Sequence, residues 1–152
     1  QEQTEVYKPY KNRREKWIMS DLLKDLKNYI LQELYPDFDE DEDENFIFLD
    51  SVPSSPDSII VISEYQGTPG LVLDERKVQI LCRDPVYSTA KALSWQIRNL
   101  LDSINPEHRV FLGENSDRTA VIKALQPPFF LQNDERNRII FDCNYKVRTV
   151  RD

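Results

Sequence analysis

The chain has 152 residues, enough for one domain that buries a core without metal or disulfide cross-links. Its 20 Lys and Arg stand against 27 Asp and Glu, and the net charge of -7 argues against general attraction to duplex DNA, although local basic patches remain possible. The single histidine and the absence of a CxxC pair argue against a transition-metal site, and Cys82 and Cys143 are expected to be reduced core residues. No stretch reads as a membrane span or a signal peptide, so we expect a soluble protein made in a cytoplasm, with no membrane partner and no cofactor.

The first predicted element is a long amphipathic helix from about Arg13 to Leu34, in which apolar residues recur at helical spacing until Pro36 ends the pattern. Met19-Ser20-Asp21 inside it resembles a natural translation start. Residues 1–18 are therefore interpreted as an N-terminal extension, and residues 19–152 as a single domain. It is a genuine extension, reflects an earlier start or was added in cloning, and it is either separate from the first helix or continuous with it.

An acidic run from Asp37 to Glu44 follows this helix. Three of its aspartates alternate as the ligands of a calcium loop do, but such a loop needs Gly where this chain has Glu44 and a bidentate Glu where it has Asp50. The run is therefore predicted to be a solvated loop, which either faces a basic partner or repels passing DNA.

Two short strands are predicted next, from Phe46 to Leu49 and from Ser58 to Ile62, because both runs are rich in β-branched and aromatic residues. A Ser/Pro segment from Ser51 to Asp57 separates them. The stretch from Gly67 to Gly70 holds two of the chain's three glycines and is predicted to be a turn or a hairpin tip, since it matches neither a phosphate-binding loop nor a dinucleotide fingerprint.

The clearest strand and the clearest helix adjoin within the stretch from Arg76 to Ile104. Val78 to Arg83 alternates with a period of two and is apolar enough on both faces to lie inside its sheet. Asp84 is predicted to cap the helix, with Pro85 at its first position, and Asn105-Pro106 should end it.

In the last third of the chain, the residue pattern predicts turns at Gly113 to Asp117 and at Asn133 to Asn137. It also predicts a strand at Thr119 to Leu125 and an extended segment at Phe129 to Gln132. Arg138 to Val150 is the last strand. One face is apolar and belongs to the core, and the other is wet or an interface and carries Arg138, Asp142, Asn144, Lys146 and Arg148. The predicted fold class is α+β: a mainly antiparallel sheet of about five strands, with an N-terminal helix and a central helix packed on one face.

One catalytic pattern needs testing. Pro56-Asp57 followed by Glu75-Arg76-Lys77 has the PD…(D/E)xK order of metal-dependent nucleases, in which two carboxylates hold Mg²⁺ and a lysine helps to activate water. Acids and lysines are common in this chain, so the order alone arises easily by chance, and the acidic total disfavours DNA binding. Ser63, Ser88 and His108 form no recognisable nucleophile and base. We therefore expect a protein that is not an enzyme, with a nuclease as the lesser alternative.

Several segments that are weak signals alone occur in one order: PDSIIV at Pro56 to Val61, the tip at Gly67 to Gly70, VQILCR at Val78 to Arg83, QPPFFL at Gln126 to Leu131, DERNR at Asp134 to Arg138 and NYKV at Asn144 to Val147. From about Leu22 to Val147 the chain thereby resembles the tail terminator and minor capsid proteins of long-tailed bacteriophages, which have similar VQVLVR, QPP, DENGR and NFEV segments. The extension and the acidic run depart from the family pattern.

The resemblance implies a structural virion protein that forms a ring, expected to be a hexamer, at the head-proximal end of the tail tube. Such a ring ends tail polymerisation and joins the tail to the head connector. The implied partners are further copies of the chain, the tail tube protein and a head-completion or connector protein, while genomic DNA passes through the lumen without specific binding. The implied location is the head-tail junction of the virion, after assembly in the host cytoplasm. A head-completion or neck protein is the alternative within the same class.

The predicted assembly-interface residues lie at two accessible tips of the sheet: Gly67, Thr68, Pro69 and Gly70 at the first, and Asp134, Glu135, Arg136 and Arg138 at the second. We expect both tips to reach neighbouring subunits or the tube. Charge reversal at Asp134 or Arg138 is expected to weaken ring formation or tail joining and to leave the fold intact. No catalytic, cofactor-binding or metal-ligating residue is predicted.

Overall fold

The computed structural model describes residues 22–68, 73–102, 108–113 and 118–150. Within these ranges the chain forms two helices, α1 (Leu22–Leu34) and α2 (Tyr87–Leu101), and seven strands: β1 (Ile47–Leu49), β2 (Ile59–Thr68), β3 (Leu73–Asp84), β4 (Val110–Leu112), β5 (Arg118–Ala124), β6 (Phe129–Asn133) and β7 (Ile139–Val150). The α+β prediction is confirmed. The sheet has more strands than the five or so expected, partly because the short segment Val110–Leu112 pairs with β5.

All seven strands of the described residues belong to one sheet in the order β1-β2-β3-β7-β5-β4, and β6 pairs with β7 beside β5. Only the β1-β2 pair is parallel, so the mainly antiparallel prediction is confirmed. β3 and β7 form the longest pair, from Leu73 opposite Val150 to Asp84 opposite Ile139. The predicted interior position of the strand from Val78 to Arg83 is also confirmed, because β3 lies between β2 and β7.

The core lies between the two helices and one face of the sheet. Leu26 and Ile30 of α1 and Ile97 of α2 share one apolar cluster with alternate residues of the central strands, namely Val78, Ile80, Cys82, Cys143, Tyr145 and Val147. Both cysteines are buried and free, as predicted. Burial raises the pKa of both thiols, which keeps them protonated.

The start of α2 differs from the prediction. Asp84 ends β3, and its carboxylate accepts hydrogen bonds from the Val86 amide (2.8 Å) and the Ser58 hydroxyl. The helix begins at Tyr87, and no side chain caps it. The predicted cap at Asp84 with a helix start at Pro85 is wrong, because the carboxylate stabilises the turn after the strand instead of the first-turn amides. α2 ends at Leu101, and the predicted stop at Asn105-Pro106 lies outside the described residues.

The described part of the first helix runs from Leu22 and ends at Leu34, as Pro36 predicts. Its predicted upstream part and residues 1–18 lie outside the described residues. The acidic run forms the predicted solvated loop, in which the Asp39 amide donates to Asp43 Oδ2 (2.8 Å). Neither described helix has the length and apolar character that crossing a membrane requires.

The face of the sheet away from the helices is only partly exposed to solvent. Arg148 is exposed there, and Asn144 and Lys146 are half-buried. Asp142 and Arg138 are buried, so the prediction is wrong for these two residues. Asp142 accepts a hydrogen bond from Gln79 Nε2 across the β3-β7 pair (2.9 Å), and burial raises the pKa of its carboxyl.

Truncation of Ile80 tests the position of the core. Ile80 is 2% exposed on the helix-facing side of β3, and Ile80→Ala should lower the free energy of unfolding by about 2–5 kcal/mol because it removes contacts and leaves a cavity. Val52→Ala is the matched control, since Val52 is 56% exposed and should change stability by less than about 0.5 kcal/mol. Urea denaturation followed by circular dichroism measures both, and equal losses would contradict this core.

Candidate assembly interface

The residues of the nuclease pattern lie at opposite ends of the β2-β3 hairpin. Asp57 precedes β2, and its carbonyl accepts a hydrogen bond from Arg83 Nε (3.2 Å) at the far end of β3. Glu75 lies near the start of β3, where it forms ion pairs with Lys146 and Arg148 (both 3.7 Å). Eight residue steps of β3 separate Glu75 from Arg83, or about 26 Å at the usual rise of a strand. The sequence order therefore brings no pair of metal-binding carboxylates together.

The first predicted tip belongs to the β2-β3 hairpin. Gly67 pairs with Arg76 and Thr68 with Glu75, so these two residues lie in strand β2 of the antiparallel β2-β3 pair. Arg76 donates two hydrogen bonds to the Glu64 carboxylate, and this partly buried contact links the two strands. Pro69 and Gly70 lie outside the described residues.

The second predicted tip is a tight turn built on Asp134. Its Oδ1 accepts hydrogen bonds from the amides of Arg136 (3.0 Å) and Arg138 (2.9 Å), and its own amide donates to the Arg138 carbonyl (2.9 Å). Asn137 occupies the left-handed region with φ of 61°, which Asn tolerates better than most residues. The sequence DERNR thus places a carboxylate and an asparagine where this turn needs them.

Two buried arginines fasten this turn and the 51–57 segment to the end of the sheet. Arg138 is 5% exposed, and its guanidinium donates to Asp134 Oδ2 (2.8 Å), the Ser54 carbonyl (2.6 Å) and Asp57 Oδ1 (3.0 Å). Arg83 is 3% exposed, and it donates to the carbonyls of Pro53 (2.8 Å), Pro56 (2.7 Å) and Asp57 (3.2 Å). These two side chains therefore satisfy backbone acceptors that a loop of this kind would otherwise expose to water.

The carboxylate of Asp134 is the negative centre of this arrangement. It lies 4.0 Å from Arg83 Nη1 in addition to its contacts with Arg138. Partial burial pushes the pKa of Asp134 upward, but hydrogen bonds from the amide and side chain of Arg138 and from the amide of Arg136 outweigh it, so the pKa lies below its ordinary value. The ionised form therefore stabilises the folded chain.

The structure separates the predicted interface residues into two groups. Glu135 and Arg136 are exposed at the turn and are free to meet a partner surface, although Arg136 also donates to the Ser54 carbonyl (3.2 Å). Asp134 is half-buried and Arg138 buried, and both are committed within the chain. The burial and contacts of Arg138 instead predict that charge reversal there destabilises the fold. Sequence reasoning missed Arg83, because nothing in the alternation of β3 distinguishes a buried arginine from an exposed one.

Comparison with known families identifies the chain. The family described as bacteriophage tail terminator protein matches residues 22–151. This chain belongs to that family. Among solved structures, one chain of the virion of a native gene transfer agent particle is similar to this chain, with 15% identity, 68% of this chain and 78% of that chain covered, and a TM-score of 0.45. No curated protein sequence matches it.

The family match extends over both helices and the whole described sheet. It includes the Asp134 turn and both buried arginines, so these features lie inside the region that the family shares. The protein is thus a structural component of a phage tail.

Replacement of Arg138 tests its structural role. Arg138→Met should lower the free energy of unfolding by about 3 kcal/mol, because it leaves Asp134 and a loop carbonyl without their buried donor. Arg136→Met is the matched control and should cost less than about 1 kcal/mol, since Arg136 is exposed. Chemical denaturation measures both variants. Equal stability of the two would contradict the role assigned to Arg138.

The pH dependence of stability tests the charge on Asp134. A depressed carboxyl pKa contributes stability at neutral pH that disappears as the pH falls below about 4. Asp134→Asn should therefore be less stable than the natural chain at pH 7, and the gap should shrink on acidification. Glu135→Gln makes the same change of charge at an exposed position and should show a smaller gap at pH 7. Thermal unfolding across this pH range checks the sign, and a gap that widens in acid would refute it.

Proposed function

We propose that this tail terminator protein forms a ring at the head-proximal end of the phage tail tube, ends tail polymerisation and joins the tail to the head connector. The observation that carries the proposal is the match of residues 22–151 to the tail terminator family. The ring is proposed to be a hexamer of this chain. Its other partners are the tail tube protein and a head-completion or connector protein.

The architecture of the sheet supports a ring-forming role. β1 ends one flank, and β4 and β6 end the other, so each subunit offers two different lateral surfaces. A closed ring of identical subunits uses such heterologous contacts, in which one surface meets a different surface of the next copy. The described fold supplies two different lateral surfaces, and a ring-forming role needs no reactive pocket.

The charge distribution supports a location around a DNA channel. The chain carries a net charge of -7, and the exposed run from Asp37 to Glu44 concentrates part of it. Like charge reduces adhesion between a protein wall and the phosphate backbone. Genomic DNA is therefore proposed to pass through the ring without specific binding.

The ends of the sheet are the proposed sites of contact with tube and connector. The β2-β3 tip with Gly67 to Gly70 and the exposed pair Glu135 and Arg136 remain candidate contact residues. Asp134 and Arg138 take the supporting role of holding the second tip in place. The rigid turn would let a partner bind without first ordering the loop, which lowers the entropic cost of association.

Loss of the protein from the virus tests the proposal. Without it, tails should vary widely in length and fail to join heads, and supply of the full chain should restore uniform tails. Negative-stain microscopy measures the lengths, and gold label on a tagged functional copy should appear at the head-tail junction.

Two other outcomes would each replace the proposal. Free tails of normal length beside filled heads would identify a head-completion or neck protein instead of a terminator. Complete particles of normal form that lack the tagged protein would show that it is no structural part of the tail.

A further inference from the structure

β6 and its surroundings expose an unusual amount of apolar surface. Among the described residues, ten large apolar side chains are exposed, and four of them lie within seven positions: Leu125, Phe129, Phe130 and Leu131. A fifth, Tyr87, contacts Phe130 with ring centroids 5.9 Å apart. We call these five residues the β6 patch.

The β6 patch rests on a rigid base. The rings of Tyr87 and Phe130 both pack against Phe141, with centroids 5.1 and 6.1 Å away, and Phe141 is 2% exposed in β7. Phe129 pairs opposite Asp142 and so lies on the other face of the strand. Tyr87 and Phe130 are therefore held in place against the core residue Phe141 on the helix-facing side, while Phe129 is exposed on the opposite face of the strand.

The outer edge of β6 carries no charge that would keep another strand away, although the strand is short, is irregular between Phe130 and Gln132 and follows Pro127-Pro128. β6 pairs with β7 alone, which leaves its second edge without a strand partner among the described residues. From Leu125 to Asn133 there is no charged residue, although charged residues make up 31% of the chain. Soluble proteins normally protect such edges with charges or a covering element. An exposed, uncharged and apolar edge is typical of a strand that becomes covered on assembly.

We infer that the β6 patch is the seat of a second copy of this chain, an inference that rests on the proposed ring. Charge favours this occupant: two copies with a net charge of -7 repel each other over most of their surfaces, and the uncharged segment is where they can approach. Topology favours it too. The opposite flank of each copy ends in β1, whose outer edge also has no strand partner among the described residues. β6 of one copy therefore meets the β1 flank of the next, as a heterologous contact requires.

Photo-crosslinking inside purified virions tests the occupant. Benzoylphenylalanine at position 131 should yield a covalent dimer of this chain, identified by peptide mass spectrometry, at a level at least about tenfold above the same probe at position 52. Val52 is an exposed apolar residue away from β6 and serves as the matched control site. Cross-links to a different virion protein, no cross-link, or equal dimer from both positions would overturn the inference.

A charge on the strand edge gives an independent measurement. Leu131→Lys should lower incorporation into particles by about tenfold or more, since an unpaired charge is costly in a covered apolar contact. Val52→Lys should incorporate normally, and both variants should keep the thermal midpoint of the natural chain. Normal incorporation of Leu131→Lys would overturn the inference. Absence of the natural chain from particles would contradict the proposed function. Presence of the chain at the tail end without a self cross-link from position 131 would contradict only the β6 inference.

Discussion

The long antiparallel pairing of β3 with β7 is the constraint on which the rest of the structure depends. It joins two segments that are far apart in the chain, and its register places Val78 beside Tyr145 and Ile80 beside Cys143 in the core. β2 attaches to one side of this pair, and β5 and β6 share the other. Both helices cover the same face, so a one-residue slip would exchange core and outer side chains over the whole central sheet.

The local hydrophobic pattern was enough to predict most of these strands and helices. Alternation identified β3 and β7, and helical spacing identified the two helices, because one face of each element must be buried. The three-residue strand β4 was missed because so short a run carries no measurable period. The start of α2 was misplaced because Asp84 is suited both to a helix cap and to the turn that follows a strand, and its contact with Ser58, distant in sequence, decides between them.

The candidate interface was only half predictable, and the reason is long-range contact. The turn residues of Asp134 to Arg138 can be recognised in the sequence. The burial of Arg138 and Arg83, however, depends on carbonyl groups of the 51–57 segment, which lies about eighty residues before Arg138 and about thirty before Arg83. Charged residues are usually exposed, so an arginine that serves as a donor to backbone carbonyls cannot be told from a surface arginine by type or spacing. The nuclease pattern failed for a related reason, because residue order carries no information about which end of a hairpin each residue occupies.

The placement of the two thiols suits a structural component of a particle. A component of a released particle is exposed to oxygen, under which accessible thiolates are oxidised or exchange disulfides. Cys82 and Cys143 are fully covered by the core, and the raised pKa of each keeps the unreactive thiol form. The core therefore gains the packing of two small polarisable side chains whose thiols are shielded from oxidants in solution.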